Sequence, residues 1–415
     1  MALLTHKNLQ SEILSPAGNK EKLRFAVKYG ADAVYFGGEE FNLRVRADNF
    51  SHEDIIESVD FCKKHNVKTV FLLNAFLHEA DIKTAQNYIA KIKDIPFDAF
   101  MVSDPGMVMM LEDAKIEGEF HLSTQMNTLN HRAIRFWQKA GFSRIVLGRE
   151  VTIDEVKSIR DETDVELEVF VHGALCMSYS GRCLLSRYMS GRDANQGDCS
   201  QPCRWRYSLI EEKRPGNYLD FIEHAKGTEI LSSKDLMLLP KLEDYIKAGA
   251  DAFKIEGRMK SLYHAANTTR IYKHAAQCSG TDDFAKNMDF WKDELDLISH
   301  RPYTDDLFNE FDDMGFDEIP YINKAQFMAY NLEEKMTGDM ISVKTFNPIK
   351  TGDTLEVIYP IEDSIRDTNV TVTEIYQKDD ITVDMARPND EYVIRFDKAI
   401  EPYGIFRKRI TPKGA

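Results

Sequence analysis

Three stretches of the chain follow one plan: AVKYGADAVYFGG (26–38), WQKAGFSRIVLGRE (137–150) and YIKAGADAFKIEGR (245–258). Each is the end of an amphipathic helix, a glycine that stops it, a short apolar strand and a further glycine. Glycine takes the left-handed position after a helix without a Cβ penalty. The strands are apolar throughout, as expected of strands buried on both faces of a parallel sheet. A recurring helix–strand unit constrains the fold more than any single motif, because such units build parallel α/β sheets.

Filling the intervals predicts eight strands: Glu12–Ser15, Ala33–Gly37, Lys68–Asn74, Ala99–Ser103, Glu119–Ser123, Arg144–Gly148, Glu166–Val171 and Ala252–Glu256. Helical patterns separate them, as at Asn19–Tyr29, His52–His65, Ile82–Ile92 and Asn130–Ala140. Eight alternations read as a closed (β/α)8 barrel of the TIM type. An open doubly wound sheet is the competing topology, weakened by the lack of GxGxxG after the first strand.

The seventh connection breaks the rhythm. A long insertion, about 174–233, carries four cysteines and a predicted hairpin of Trp205–Glu211 with Thr228–Ser232. Connections of this length inside a compact domain are usually functional, and loops after strand C-termini form the catalytic face of such barrels. The barrel is expected over 1–280. Residues 282–331 read as helical and acidic, giving a helical connector over 281–335. From 336 to 415 short alternating strands predict a small antiparallel β-barrel: Met340–Phe346, Thr354–Tyr359, Val370–Tyr376, Ile381–Met385 and Tyr392–Phe396.

The chain is 43% hydrophobic and 29% charged, an ordinary globular profile with no apolar run long enough to cross a membrane. The N-terminal residues lack the basic and apolar regions of a signal peptide, so a cytoplasmic address is expected. Disulfides are rare there, so six cysteines with four inside one short stretch suggest a metal site. The spacing is C-x6-C-x15-C-x3-C, through Cys176, Cys183, Cys199 and Cys203. Zinc sites normally use a tight knuckle, which only the last pair offers. A [4Fe–4S] cluster accepts ligands from longer spacers. Zinc and reduced or redox-switching thiols remain the alternatives. Cys62 and Cys278, on helical patterns, read as core or surface thiols.

The net charge of −15 argues against a generally basic nucleic-acid surface. Locally the sign reverses. From His172 to Ile210 stand Arg182, Arg187, Arg192, Arg204 and Arg206 against Asp193 and Asp198, interleaved with Tyr179, Tyr188, Trp205 and Tyr207. The tail adds Arg407, Lys408, Arg409 and Lys413. A scatter of solvated charges is the plain alternative to an RNA-facing patch.

The segment EVFVHGALC (168–176), followed by Gly181, Cys183, Leu185 and Ser186, resembles the signature of the collagenase-like peptidase family. LSPAG (14–18), STQMN (123–127), GRE (148–150), KIEGRM (254–259) and SHRPY (299–303) are similar to other segments of that family. After Tyr303 the family often continues Thr-Gly-Phe, where this chain has Thr304, Asp305 and Asp306. The residues supply neither an HExxH helix nor a GxSxG elbow for a peptidase. The long form with a C-terminal β domain is most similar to the branch of the family that hydroxylates tRNA. That resemblance implies a [4Fe–4S] cluster on the four cysteines, prephenate as co-substrate and 5-hydroxyuridine at the wobble position as product. It also implies tRNA as partner, with a shorter paralogue or a second copy as a further one. Collagenase-like proteolysis and non-catalytic RNA binding with structural zinc are the alternative functions.

Candidate catalytic residues lie at strand ends: Arg149, Glu150, His172, Lys254, Glu256 and Arg258. Candidates for substrate binding are Asn42, Arg44, Gln125, Asn127, Arg182, Arg204 and Trp205. Arginines at a barrel mouth can clamp a dicarboxylate through two parallel N–H bonds. The plain alternative for Arg149–Glu150 and Glu256–Arg258 is a structural ion pair at the rim. His172 could equally be a satisfied polar histidine at a strand end.

Overall fold

The three glycines of the repeat, Gly30, Gly141 and Gly249, all have positive φ (101°, 91° and 94°), so each turns the chain out of a helix and into a strand. At the other ends, Asn19, Ser51, Asp104, Asn130, Thr152 and Ser261 cap their helices with side-chain oxygens. The computed structural model describes residues 11–43, 48–176, 178–204, 209–210, 218–219, 234–305, 321–335, 337–362, 365–377 and 381–410.

Eight parallel strands follow from these units: β1 (Glu12–Pro16), β2 (Ala33–Phe36), β3 (Lys68–Leu73), β4 (Ala99–Val102), β5 (Glu119–Leu122), β6 (Phe142–Val146), β7 (Glu166–Ala174) and β8 (Ala252–Ile255). Each pairs with its neighbour in order. β8 then pairs with both β7 and β1, which closes a TIM-like barrel. All eight predicted strands are present. β2, β4 and β8 are buried at every position, which is why they read as uniformly apolar.

β7 runs on past the barrel rim. There the strand Asp235–Met237 pairs antiparallel with its last residues, and Tyr303–Thr304 pairs with that strand in turn. The predicted hairpin is shifted. Leu209–Ile210 pairs with Tyr218–Leu219, whereas Thr228–Ser232 lies outside the described residues.

The C-terminal barrel is closed, in the order Ala325–Asn331, Gly338–Thr345, Glu391–Ile400, Thr368–Tyr376, Thr354–Ile358, Ile405–Arg409. Two of these strands correct the sequence reading. Residues 282–331 are helical only at Asp282–Lys286 and Met288–Asp296, among the described residues, and Ala325–Asn331 is the first strand of the barrel. Its alanine, glutamine and methionine favour a helix, but pairing with two neighbours overrides that preference. The basic tail is the last strand up to Arg409, with Lys413 outside the described residues. Arg407 is buried and bonded to Glu294 and Glu356, while Lys408 and Arg409 pair with Asp353 and Glu356. Conversely, Ile381–Met385 is not a barrel strand: it contributes a bridge at Thr382 and a short pairing at Met385.

Helix Leu262–Cys278, which follows β8, joins the two barrels. Twelve of its residues are buried. Arg270 reaches Glu294 at 2.5 Å and Asp367 at 2.9 Å, and Arg407 reaches Glu294 at 2.7 Å and Tyr263 at 2.9 Å. Burial pushes the Glu294 carboxyl up, but the two guanidinium groups outweigh it and hold the group ionised. Tyr29 adds a neutral tie, donating to the carbonyls of Ile358 and Tyr403. Among the described residues no helix is long and apolar enough to cross a membrane.

Removing one partner from such a buried set leaves uncompensated charge. Glu294→Ala is expected to cost about 3–5 kcal/mol, read from urea unfolding of the full chain. A loss below about 1 kcal/mol would show that the network does not hold the barrels together.

Candidate functional site at the barrel mouth

The lower barrel interior is charged. Arg144 on β6 donates to Glu12 on β1 at 2.5 Å and lies 3.4 Å from Glu168 on β7; Lys254 on β8 meets Glu168 at 2.9 Å. Glu166 and Lys68 extend the chain at its more exposed end. Burial pushes Glu12 up, yet the hydrogen bonds and charges of Arg144 and Lys68 prevail and hold it at about 2. Burial also opposes Glu168, and the charges of Lys254 and Arg144 keep it below the ordinary carboxylate range. Lys254 is shifted downward by burial against the pull of Glu168.

Above this layer the interior turns aromatic. The Lys254 ammonium lies 4.4 Å from the Tyr35 ring and 5.6 Å from the Phe170 ring, and Arg149 stacks on Phe170 at 4.0 Å. Arg149 and Glu150 do not form the rim ion pair weighed above. Glu150 instead accepts from the Ser180 amide (2.7 Å) and hydroxyl (3.0 Å), while the guanidinium of Arg149 faces a cavity of about 530 Å³. Phe170, Thr152, Lys157, Lys241 and Tyr245 also line that cavity. Its size suits a small organic ligand.

The cysteine-bearing connection is clamped to the mouth by three loops. Ser180 is held by Glu150 after β6. The Phe76 amide, after β3, donates to the Asn195 carbonyl, and Arg182 lies 5.0 Å over the Phe76 ring and 3.8 Å from the Met126 sulfur after β5. Inside the connection, Asn195 bonds both backbone groups of Cys183. Arg187 pairs with Asp193 and Arg192 with Asp198, so half of the local positive charge is spoken for.

Cys62, Cys176, Cys183, Cys199 and Cys278 are free thiols. Cys62 is buried, and burial pushes its thiol up to about 12, so it behaves as a core residue. Cys176 leaves the end of β7, and its sulfur accepts the Ser178 amide at 3.4 Å; the Cys199 sulfur accepts the Gln201 amide at the same distance. In iron–sulfur proteins, hydrogen bonds to the ligating sulfurs tune the potential. Among the described residues no three His, Cys, Asp or Glu side chains close on one point that a single ion could occupy. Four cysteines on a loop at the mouth, two of them with backbone donors to sulfur, fit a cluster-type donor set by chemistry. Among the described residues Cys176, Cys183 and Cys199 bond Ser178, Asn195 and Gln201 respectively, none of them a histidine.

The other candidates fall into distinct places. Arg258 is buried and donates to the amide oxygens of Asn42 (3.0 Å) and Asn49 (2.8 Å), so Asn42 orients an arginine. Gln125 accepts from the Ser123 hydroxyl. Asn127 has a left-handed backbone (φ 51°), and its Oδ1 is buried without a partner. Glu256 donates its amide to His172 and accepts from His264 through its carbonyl.

His172 is buried among the rings of His264, Tyr272 and Tyr303. Burial, reinforced by His264, keeps its imidazole neutral. Gly173, at φ 107°, lets β7 pass the Glu256 carbonyl, which an added Cβ would meet at 2.3 Å. Arg44, Trp205 and the Arg204 side chain lie outside the described residues. Sequence reasoning missed Ser180, Asn195 and Phe170, whose roles exist only once distant loops meet. It also missed Arg144 and Glu168, although charges inside apolar strand patterns were a signal.

A closed parallel barrel with a cysteine-bearing seventh connection over its mouth defines a TIM-barrel protein with a thiol site on the catalytic face. The model of peptidase family U32 matches residues 18–315, and the chain belongs to that family. It is similar to tRNA hydroxylation protein P1 of Bacillus subtilis, 34% identical over 96% of this chain and 94% of that one. It is likewise 34% identical to tRNA hydroxylation protein P of Escherichia coli, over 84% of this chain and 86% of that one. The 23S rRNA 5-hydroxycytidine C2501 synthase of Escherichia coli is also 34% identical, over 86% of this chain but 53% of that longer protein.

The depressed Glu12 carboxyl makes stability depend on pH. A group held at about 2, against an ordinary 4.5, stabilises the fold fully above 4.5 and loses that contribution as pH falls through 2. Urea unfolding should therefore show up to about 3 kcal/mol lost across that window. Glu12→Gln should be less stable at neutral pH and flatter in acid. An unchanged acid slope in the variant would remove Glu12 from the account.

Proposed function

We propose that this chain is an RNA hydroxylase that converts the wobble uridine of tRNA to 5-hydroxyuridine. In this reading Cys176, Cys183, Cys199 and Cys203 hold a [4Fe–4S] cluster, and prephenate is the co-substrate. The observation that carries it is the cysteine set, with N–H···S bonds at Cys176 and Cys199, on a connection clamped over a barrel mouth in a chain matched over nearly its full length by a tRNA hydroxylation protein. When bound, the cluster supplies electron transfer.

The chain's own residues do the rest. Arg149 has one face covered by Phe170 and its edge toward the cavity, so it can hold a carboxylate of the co-substrate through paired N–H bonds. The orphaned Oδ1 of Asn127 can accept an N–H from the base, and Gln125 beside it adds a second amide. The buried Lys254–Glu168 pair fixes β7 and so the point from which Cys176 departs.

Chain purified without oxygen should contain iron and acid-labile sulfide, and Cys176→Ser should lose both. Zinc in place of iron would favour a binding protein with a structural metal. Nucleoside mass spectrometry of tRNA from a deletion strain should show the 5-hydroxyuridine derivatives depleted and restored by the plasmid-borne gene; unchanged levels after removal of any paralogue would overturn the assignment. Arg149→Lys keeps the charge but loses the fork, so the KM for prephenate should rise by about tenfold or more with kcat less affected.

A further inference from the structure

We propose that Leu184 and Tyr188 form a stacking platform on the cysteine-bearing connection, for unpaired bases of the RNA that flank the nucleotide entering the barrel mouth. This rests on the reading of the substrate as RNA. Leu184 is 73% exposed and Tyr188 87%, with Tyr179 and Met189 exposed beside them in sequence. The Tyr188 amide bonds the Leu184 carbonyl, so the two side chains stand one helical turn apart on one face. Water is a poor neighbour for such a set, and concentrated exposed apolar groups mark contact surfaces.

The platform is built rather than loose. The short helix Leu185–Ser190 is tied to the following loop through its serines. Ser200 bonds Ser186 at 3.0 Å and Ser190 at 2.7 Å, and the Ser200 amide returns to Ser186. The Arg187–Asp193 and Arg192–Asp198 pairs brace the same turn. The clamps at Ser180, Phe76 and Arg182 then hold the whole connection against the mouth. A base lying on Tyr188 therefore sits at a fixed place relative to the loops after β3, β5 and β6.

Charge chooses the partner. Residues 174–204 hold four arginines against two aspartates, in a chain whose total is −15. An apolar face on a connection whose sequence carries net positive charge suits single-stranded RNA, which offers flat bases and a phosphate backbone together. Tyrosine accepts any base by its ring face and loses little freedom in doing so. This surface would hold the substrate without reading its sequence, leaving base choice to the mouth.

The test is fluorescence anisotropy on the full chain, purified without oxygen, with two labelled RNAs. One is a stem–loop whose loop contains an unpaired uridine; the other is the same strand annealed into a duplex. The unaltered chain should prefer the stem–loop. Tyr188→Ala should weaken stem–loop binding by about tenfold, and Tyr188→Trp should stay within about twofold of the unaltered chain. Thermal melts of these variants should match, since an exposed side chain is being changed.

If Leu184→Ala with Tyr188→Ala binds the stem–loop as well as the unaltered chain does, the platform is wrong while the RNA reading stands. Failure of the unaltered chain to bind either RNA would overturn both. Loss of a co-purifying protein from the double variant, with RNA affinity intact, would make the patch a protein interface and overturn the proposal.

Discussion

The line of buried charge from Glu12 through Arg144 and Glu168 to Lys254 is the constraint on which the catalytic face depends. It joins β1, β6, β7 and β8, the strands that bring the barrel to closure. Apolar layers would be easier to desolvate, since each buried ion costs several kcal/mol before pairing. Charge specifies register in return. Strand side chains alternate faces, so a slip of one residue in β7 would turn Glu168 outward, take the carboxylate from Lys254 and leave Arg144 with Glu12 alone. The same slip would move the departure of Cys176. The pairing deep in the barrel thus sets the position of a thiol at its rim.

The cysteine-bearing connection is stabilised in a different way. Its helix has six residues and little apolar burial, and hydroxyls, amides and ion pairs hold it together. Three loops of the barrel then grip it. The C-terminal barrel sits on the helix after β8, anchored by Arg270, Arg407 and Glu294, and so steadies the strand that carries Lys254.

Much of the barrel was legible because its grammar is local. A helix, a glycine at positive φ and an apolar strand need no distant partner to be recognised. The four cysteines were legible as a spacing. What escaped is what depends on distant partners. Ile405–Arg409 reads as a basic tail until Glu294 and Glu356 are brought beside it. Ala325–Asn331 reads as helix until it gains two neighbours. For Arg149 and Glu150, adjacent in sequence, an ion pair is the plain alternative to a catalytic role, yet Ser180 takes the carboxylate and Phe170 the guanidinium.

The barrel closes between its ends, and this bears on how the protein is made. Glu12 leaves the ribosome long before Arg144, 132 residues later, and longer still before β8. The second barrel cannot finish until Ile405–Arg409, synthesised well after Ala325–Asn331, pairs with it. Folding dominated by such distant pairings is slow and leaves partly formed sheets exposed. The four thiols emerge before β8 exists, at a stage when the loops that grip their connection are not yet fixed by a closed barrel. A nascent chain therefore presents its cysteines more openly than the finished fold does.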